Sequence, residues 1–230
     1  MTSALLVWTL VSTPSLGADR VGRVREKRTD DLEALVAKVG LRLPLDEVYL
    51  RAFKEEGELE LWGSSKPCQA MVLIKTSPIC AASGELGPKR REGDLQVPEG
   101  FYQLSEFNPS SSFHLALKVS YPNASDRIRS DREHPGGLIY LHGDCASIGC
   151  IAIKDAPIEE VYLLSLDSRR RPIHIDVFPF RMTEERLAAP SPHQAFWKEL
   201  YEGELEFRRH LRPPKVSVDP VSGAYVVKTR

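Results

Sequence analysis

The residues best suited to chemistry lie in one stretch, Leu141-His142-Gly143-Asp144-Cys145-Ala146-Ser147-Ile148-Gly149-Cys150. A thiol is a weak nucleophile until it loses its proton. A neighbouring imidazole can take that proton near neutral pH and later hand it to a leaving amine. Cys150 is therefore the candidate nucleophile and His142 the candidate base. Gly143 frees the backbone to turn after the histidine, and Gly149 lets the chain approach closely just before the cysteine. The segment reads as a tight loop that folds the thiol back onto the ring. Ser147 or the backbone near Gly143 is placed to orient the imidazole. The N–H groups of Gly149 and Cys150 are the candidate oxyanion donors, because glycine leaves that space open.

Each residue taken singly has a plainer reading, since an isolated Cys or His is more often an inert core residue. The combination within ten residues favours catalysis. Zinc is the main competitor, because His142, Asp144, Cys145 and Cys150 cluster. Their spacing matches no paired zinc-ligand pattern and a second ligand pair is missing, so no metal and no cofactor are expected. A papain-type protease has its cysteine first and its histidine far downstream, the reverse of the order here.

The surrounding pattern is β-rich. Val48–Phe53 and Glu58–Trp62 read as a hairpin across Glu55-Glu56-Gly57, and Met71–Thr76 as a third strand. Residues 82–100 are dense in Gly and Pro and read as a functional loop beside the cleft. Phe101–Phe107, Phe113–Ser120 and Leu138–His142 follow as strands, with a polar loop at 123–137. Asp155, then Pro157 and the acids Glu159 and Glu160, mark a helix start with Asp155 as its cap. Ile173–Phe178 is a strand, and Pro190 and Pro192 precede a helix carrying Phe196, Trp197, Leu200 and Tyr201. A short strand is expected around Tyr225–Val227. Near the N-terminus, 18–30 reads as an unpatterned entry. Thr29 or Asp30 then caps a short helix to Val39, stopped by Gly40.

The 230 residues suffice for a sizeable core, and a net charge of -1 supplies no field for nucleic acid or anionic lipid. The run Ala4–Leu10, followed by small residues with Ser15 and Gly17 at cleavage positions, has the character of a secretory signal, though without a basic leading region. It is too short to span a bilayer. Export permits disulfides among Cys68, Cys80, Cys145 and Cys150, and the spacing does not choose a pair.

His142-Gly143 followed by Ser147-Ile148-Gly149-Cys150 resembles the active-site signature of the L,D-transpeptidase (YkuD-like) superfamily, in the compressed form of its YafK-like branch. The likeness continues through Arg51-Ala52-Phe53-Lys54, Leu59-Glu60-Leu61-Trp62, Ser83 to Lys89, Glu92-Gly93-Asp94, Val97 to Tyr102, Tyr121-Pro122-Asn123 and Phe178 to Met182. It covers about residues 47 to 201. Two positions depart from the common pattern: Ile148 stands where a second His is usual, and Ala152 where an Arg is usual. Both departures resemble the YafK-like branch itself.

The resemblance implies a mostly β, β-sandwich-like catalytic fold with small helices. It divides the chain into a signal peptide (1–17), an N-terminal extension (18–46), a catalytic domain (47–182) and a C-terminal helical extension and tail (183–230). It places Cys150, His142 and Ser147 on the catalytic positions. Lys89, Arg91 and Tyr102 are the substrate-binding candidates. Peptidoglycan stem peptides, and a lipoprotein attached to them, are the implied partners, in the periplasm, with no nucleic acid and no membrane span. The expected reaction is cysteine acyl transfer on diaminopimelate-containing stems. Hydrolytic release by the same thioester chemistry is the alternative, and an inactive wall-binding module a further one. Cys80 resembles a branch cysteine and is the expected partner of Cys145, against a Cys145–Cys150 redox lock.

Overall fold

The computed structural model describes residues 16–230, so all but the last two residues of the expected signal segment lie outside the described residues. The frame is one eight-stranded mixed sheet of β1 (Glu47–Phe53), β2 (Glu58–Ser64), β3 (Val72–Pro78), β4 (Gly100–Asn108), β5 (Ala116–Val119), β6 (Tyr140–His142), β7 (Ile151–Ala152) and β8 (Ile173–Phe178). Their order across the sheet is β3-β2-β1-β8-β4-β5-β6-β7. A separate hairpin pairs β9 (Lys215–Val218) with β10 (Tyr225–Lys228). Five helices accompany them: α1 (Leu16–Ala37), α2 (Ala124–Arg129), α3 (Asp155–Asp167), α4 (Glu184–Ala188) and α5 (Gln194–His210). No helix among the described residues is long and apolar enough to cross a membrane.

Strand β1 shows how the layers arise. Alternate side chains of a strand point to opposite faces, and here both faces are covered. Val48, Leu50 and Ala52 join the main core with Val24, Leu32 and Val36 of α1 and Ile158, Val161 and Leu164 of α3. On the other face Tyr49 meets Phe207 of α5, and Phe53 joins Phe196, Trp197 and Leu200.

The N-terminal helix is longer than the sequence suggests. Residues 18–30 continue it rather than forming a loose entry. Charged residues hide the apolar stripe, yet Val21 and Val24 pack on the core at helical spacing. Asp19–Arg23 and Arg28–Asp31 pair along the helix surface, while Arg28 Nε reaches Glu159 at 2.6 Å. Thr29 is no cap: its hydroxyl donates to the Arg25 carbonyl one turn back at 2.8 Å. Gly40 does end the helix, with φ +77 and with Leu41 N–H donating to the Val36 carbonyl and Gly40 N–H to that of Ala37. This is a Schellman closure that favours glycine. Within the polar loop at 123–137, Asn123 and Asp126 form a reciprocal capping box that starts α2.

A buried ion pair fastens α5 to the sheet. Arg51 of β1 bonds Glu204 of α5 and reaches Glu60 of β2 at 3.1 Å, while its guanidinium lies 4.3 Å from the Phe207 ring centre. Removing Glu204 leaves the buried Arg51 charge compensated by Glu60 alone among these partners. Glu204→Gln is expected to lower stability by roughly 3–5 kcal/mol, read as a lower urea midpoint. An unchanged midpoint would show that the pair is not what holds α5 down.

Candidate active site

Two short parallel strands carry His142 and end beside Cys150, and both residues line one cleft. Leu141 pairs with Ile151 and His142 with Ala152, so the eight residues between them must double back. Cys150, one residue before Ile151, then falls beside Tyr140. Gly143 and Gly149 serve this loop differently. A Cβ at Gly143 would come within 2.7 Å of an Asp155 carboxylate oxygen and 3.0 Å of Ile158 and the Phe113 carbonyl, so glycine is needed there for close packing. The turn expected at Gly143 is made with a positive φ at the next residue, Asp144 (φ 60). A Cβ at Gly149 would make only ordinary contacts, 3.5 Å from the Gln96 carbonyl and 3.7 Å from Ile139, but its φ is +125, a conformation L-residues rarely adopt.

Asp155 was expected to cap α3. Lys154 occupies that position with φ 62, and the Asp155 carboxylate turns to the loop, accepting from Asp144 N–H at 2.8 Å. The Asp144 side chain accepts from Cys145 N–H at 2.6 Å, and the Asp144 carbonyl from Lys154 N–H at 3.2 Å. The loop is thereby fixed to the start of α3.

His142 is 2% exposed and lies against the Phe113 ring, with centres 4.7 Å apart. Its Nδ1 sits 2.6 Å from the Gly143 carbonyl oxygen. A carbonyl only accepts, so Nδ1 carries a proton, and in the neutral ring the lone pair is on Nε2. Backbone, not Ser147, orients the ring. Cys150 is half-buried, and its Sγ lies 3.7 Å from the Leu138 carbonyl. Burial pushes its thiol above the ordinary range, against the Tyr140 N–H that faces the sulfur and favours the thiolate. Burial thus favours the thiol over the thiolate. Leu138 has φ 55, unusual for a leucine, and this backbone conformation presents its carbonyl to the sulfur.

Cys150 and His142 line one cleft of about 970 Å³, together with Lys89, Glu92, Phe113, Glu133, His134 and Leu138. The Gly/Pro-rich loop thus borders the site as expected. Several expected roles move. Ser147 donates to the Cys150 carbonyl at 2.7 Å and accepts from Gly149 N–H at 3.2 Å, so it braces the loop and touches no ring. That same bond engages the Gly149 N–H proposed for the oxyanion, leaving the Cys150 N–H as the remaining expected donor. Tyr102 is a core residue, donating to the Glu99 carbonyl at 3.0 Å and Asp126 at 3.1 Å, outside the cleft. Arg91 is exposed and does not line the cleft. Lys89 lines it, but its ammonium is held by Asp94 at 2.5 Å and the Arg91 carbonyl at 2.9 Å. Burial raises the Asp94 pKa, but Lys89 and the N–H groups of Arg90, Arg91 and Gln96 outweigh it and hold the carboxyl below its usual range.

Cys80 and Cys145 form a disulfide with Cα atoms 5.6 Å apart, and Cys68 and Cys150 are free. Cys145 is therefore no zinc ligand and does not lock Cys150. The bridge ties the loop to a segment already paired with β7 through Cys80 N–H and the Ala152 carbonyl, at 2.8 Å. On the far side, Arg20 of α1 donates to the carbonyls of Ser111, at 2.8 Å, and of His114. It holds the turn that presents Phe113 to His142. No local pattern signals this contact, because Arg20 and His114 are 94 residues apart.

The Cys80→Ser, Cys145→Ser double variant is expected to lose about 4 kcal/mol of stability by chain-entropy reasoning, measured against the oxidised protein in urea; equal midpoints would contradict this. Arg20→Ala is expected to lower turnover several-fold at unchanged stability, by freeing Phe113 from the imidazole. Wild-type kcat and KM would show that α1 has no part in placing the base.

With this geometry in place, comparison with known proteins is informative. The L,D-transpeptidase catalytic domain family, YkuD, matches residues 59–175. The Escherichia coli (strain K12) protein named "Putative L,D-transpeptidase YafK" is 37% identical over 187 residues, covering 78% of this chain and 73% of that one. Among solved structures, the helical cell shape determining protein Pgp2 from Campylobacter jejuni aligns with a TM-score of 0.48 at 19% identity, covering 76% of this chain and 64% of that one. This chain thus spans less than two thirds of that solved chain. Mycobacterium tuberculosis L,D-transpeptidase 1 aligns with a TM-score of 0.32 at 16% identity, covering 57% of this chain and 62% of that one. The family match contains His142 and Cys150, the two residues that line the cleft together, and with the 37% identity across most of both sequences it establishes that this chain belongs to the L,D-transpeptidase (YkuD) family.

Proposed function

We propose that the protein is a cysteine acyltransferase acting on diaminopimelate-containing stem peptides of peptidoglycan in the periplasm, with residues 47–182 as its catalytic unit. The observation that carries this reading is the 2.6 Å contact from His142 Nδ1 to the Gly143 carbonyl. It leaves Nε2 free to act as a base beside a cleft that also holds the thiol.

Nε2 removes the Cys150 proton as the sulfur attacks the diaminopimelate carbonyl. The tetrahedral oxyanion is met by the Cys150 N–H. Collapse breaks the C–N bond, the imidazolium protonates the departing D-alanine amine, and a thioester remains on Cys150. An acceptor then attacks the thioester, gives its proton to Nε2, and displaces the thiolate, which recovers the proton. An amine acceptor, from a second stem or a lipoprotein lysine, yields a transfer product. Water yields hydrolysis by the same residues.

Purified protein incubated with muropeptides, with and without a lipoprotein-linked stem, and read by mass spectrometry distinguishes these acceptors. Cys150→Ala is expected to abolish conversion with the fold intact by circular dichroism; conversion at the wild-type rate would exclude the reading. Because burial raises the thiol pKa, alkylation of Cys150 is expected to rise in a single step above the ordinary thiol range. His142→Ala should leave that step in place while slowing acyl transfer by about 10²–10⁴-fold. A reactive shoulder near neutral pH that vanishes in His142→Ala would instead indicate a preformed thiolate–imidazolium pair.

A further inference from the structure

Lys54 directly follows β1, and its backbone is fixed by donation of its N–H to the Phe178 carbonyl at 3.0 Å. Its side chain is buried. The ammonium meets the carbonyls of Glu85 at 2.8 Å, Gly87 at 2.9 Å and Val97 at 3.0 Å, and Glu99 Oε1 at 3.0 Å. Glu99 is itself fully buried and held from two sides. Its Oε1 also accepts from Gly87 N–H at 2.7 Å, and its Oε2 accepts from Trp197 Nε1 of α5 at 2.8 Å. One cation thus joins three of the stretches singled out in the sequence, residues 51–54, 83–89 and 97–102. None of them takes part in the acyl-transfer steps.

The places of these carbonyls in the chain give the contact its meaning. Gly87 and Val97 flank residues 88–96. Every residue of the Gly/Pro-rich loop that lines the Cys150 cleft, namely Lys89, Glu92, Gly93 and Leu95, lies between them. Holding both ends on one ammonium closes the loop before substrate arrives, so its ordering is not charged against binding. Inside the loop, the Asp94 carboxylate accepts from the N–H groups of Arg90 at 2.9 Å, Arg91 at 3.0 Å and Gln96 at 3.1 Å. At its edges, Glu92 N–H donates to the His134 carbonyl at 2.8 Å, and the Gln96 carbonyl lies 3.5 Å from where a Cβ would stand on Gly149. The thiol and the imidazole take their own contacts from Leu138, Tyr140 and Gly143, outside this loop. The loop is therefore a wall of the cleft, and the reacting groups are placed without it.

We propose that Lys54 is the positioning residue for that wall. By clamping residues 88–96 at both ends it presets the face of the cleft against which the stem peptide lies, and so acts on substrate affinity rather than on the chemistry of Cys150. The inference takes its substrate from the acyl-transfer reading and its clamp from the Lys54 contacts alone. One carboxylate, Glu99, suffices to balance the charge. The remaining donor capacity goes to carbonyls at either end of a single loop, which a charge pair alone does not require.

The test compares wild type with Lys54→Met, an unbranched side chain without donors. The readouts are muropeptide kinetics, hydrogen exchange of the free protein, and alkylation of Cys150 by iodoacetamide followed by peptide mapping. KM is expected to rise roughly tenfold at unchanged kcat. Amides within 88–96 are expected to exchange about tenfold faster, while those of β1 and β8 and the alkylation rate of Cys150 stay as in wild type. If Lys54→Met does not fold, Lys54→Arg serves. It keeps the charge beside Glu99, but a planar guanidinium cannot converge on both loop ends, so the same changes are expected at smaller size. Unchanged KM, or unchanged exchange at 88–96, in either folded variant overturns the proposal. So does a fall in kcat and in alkylation at wild-type KM, which would place the action of Lys54 on the thiol. Wild-type protein that converts no muropeptide contradicts the acyl-transfer reading instead, and the exchange comparison then decides the clamp by itself.

Discussion

The proposed chemistry depends on a single backbone carbonyl. A neutral imidazole can present either nitrogen as a base, and which one it presents is set by the partner of the other. Here the Gly143 carbonyl takes the Nδ1 proton, so the lone pair sits on Nε2. That carbonyl is fixed because residue 143 is wedged between Asp155, Ile158 and the Phe113 backbone with no room for a side chain. Asp155 in turn holds the next amide. The helix start and His142 are thus one unit, and under the proposed mechanism a change at Asp155 acts through the position of the imidazole.

The thiol side is set by an opposing pair of effects. Burial disfavours the thiolate, while the Tyr140 N–H favours it. The net result is a resting thiol bonded toward the Leu138 carbonyl. In the proposed mechanism such a group gains nucleophilicity only when base and substrate are both in place. The separate disulfide between Cys80 and Cys145 consumes the other nearby sulfur and stiffens the loop, and leaves Cys150 free.

Much of this was legible from residue types. His142, Cys150 and the two glycines stand within a few positions, and most of the strands announce themselves by alternation. What escaped depends on tertiary contact. The first half of α1 looked unpatterned because its buried stripe is interrupted by arginines whose partners, Asp167 and Glu159, lie over a hundred residues away. Tyr102, a substrate-binding candidate from the sequence, faces Asp126 in the core. Lys89 looked free because nothing local shows that Asp94 gathers it with three backbone amides. Leu138 gave no signal at all, since a positive φ at leucine is imposed by its surroundings and not encoded in the residue.

The most direct measurement is intact-protein mass spectrometry after rapid mixing with a purified tetrapeptide stem, followed by peptide mapping. Acylation by the stem with loss of D-alanine, on Cys150 alone, is the expected result, with adduct formation at least a hundredfold slower in His142→Ala. Absence of an adduct while product accumulates, or an adduct on Cys68, would contradict nucleophilic catalysis by Cys150.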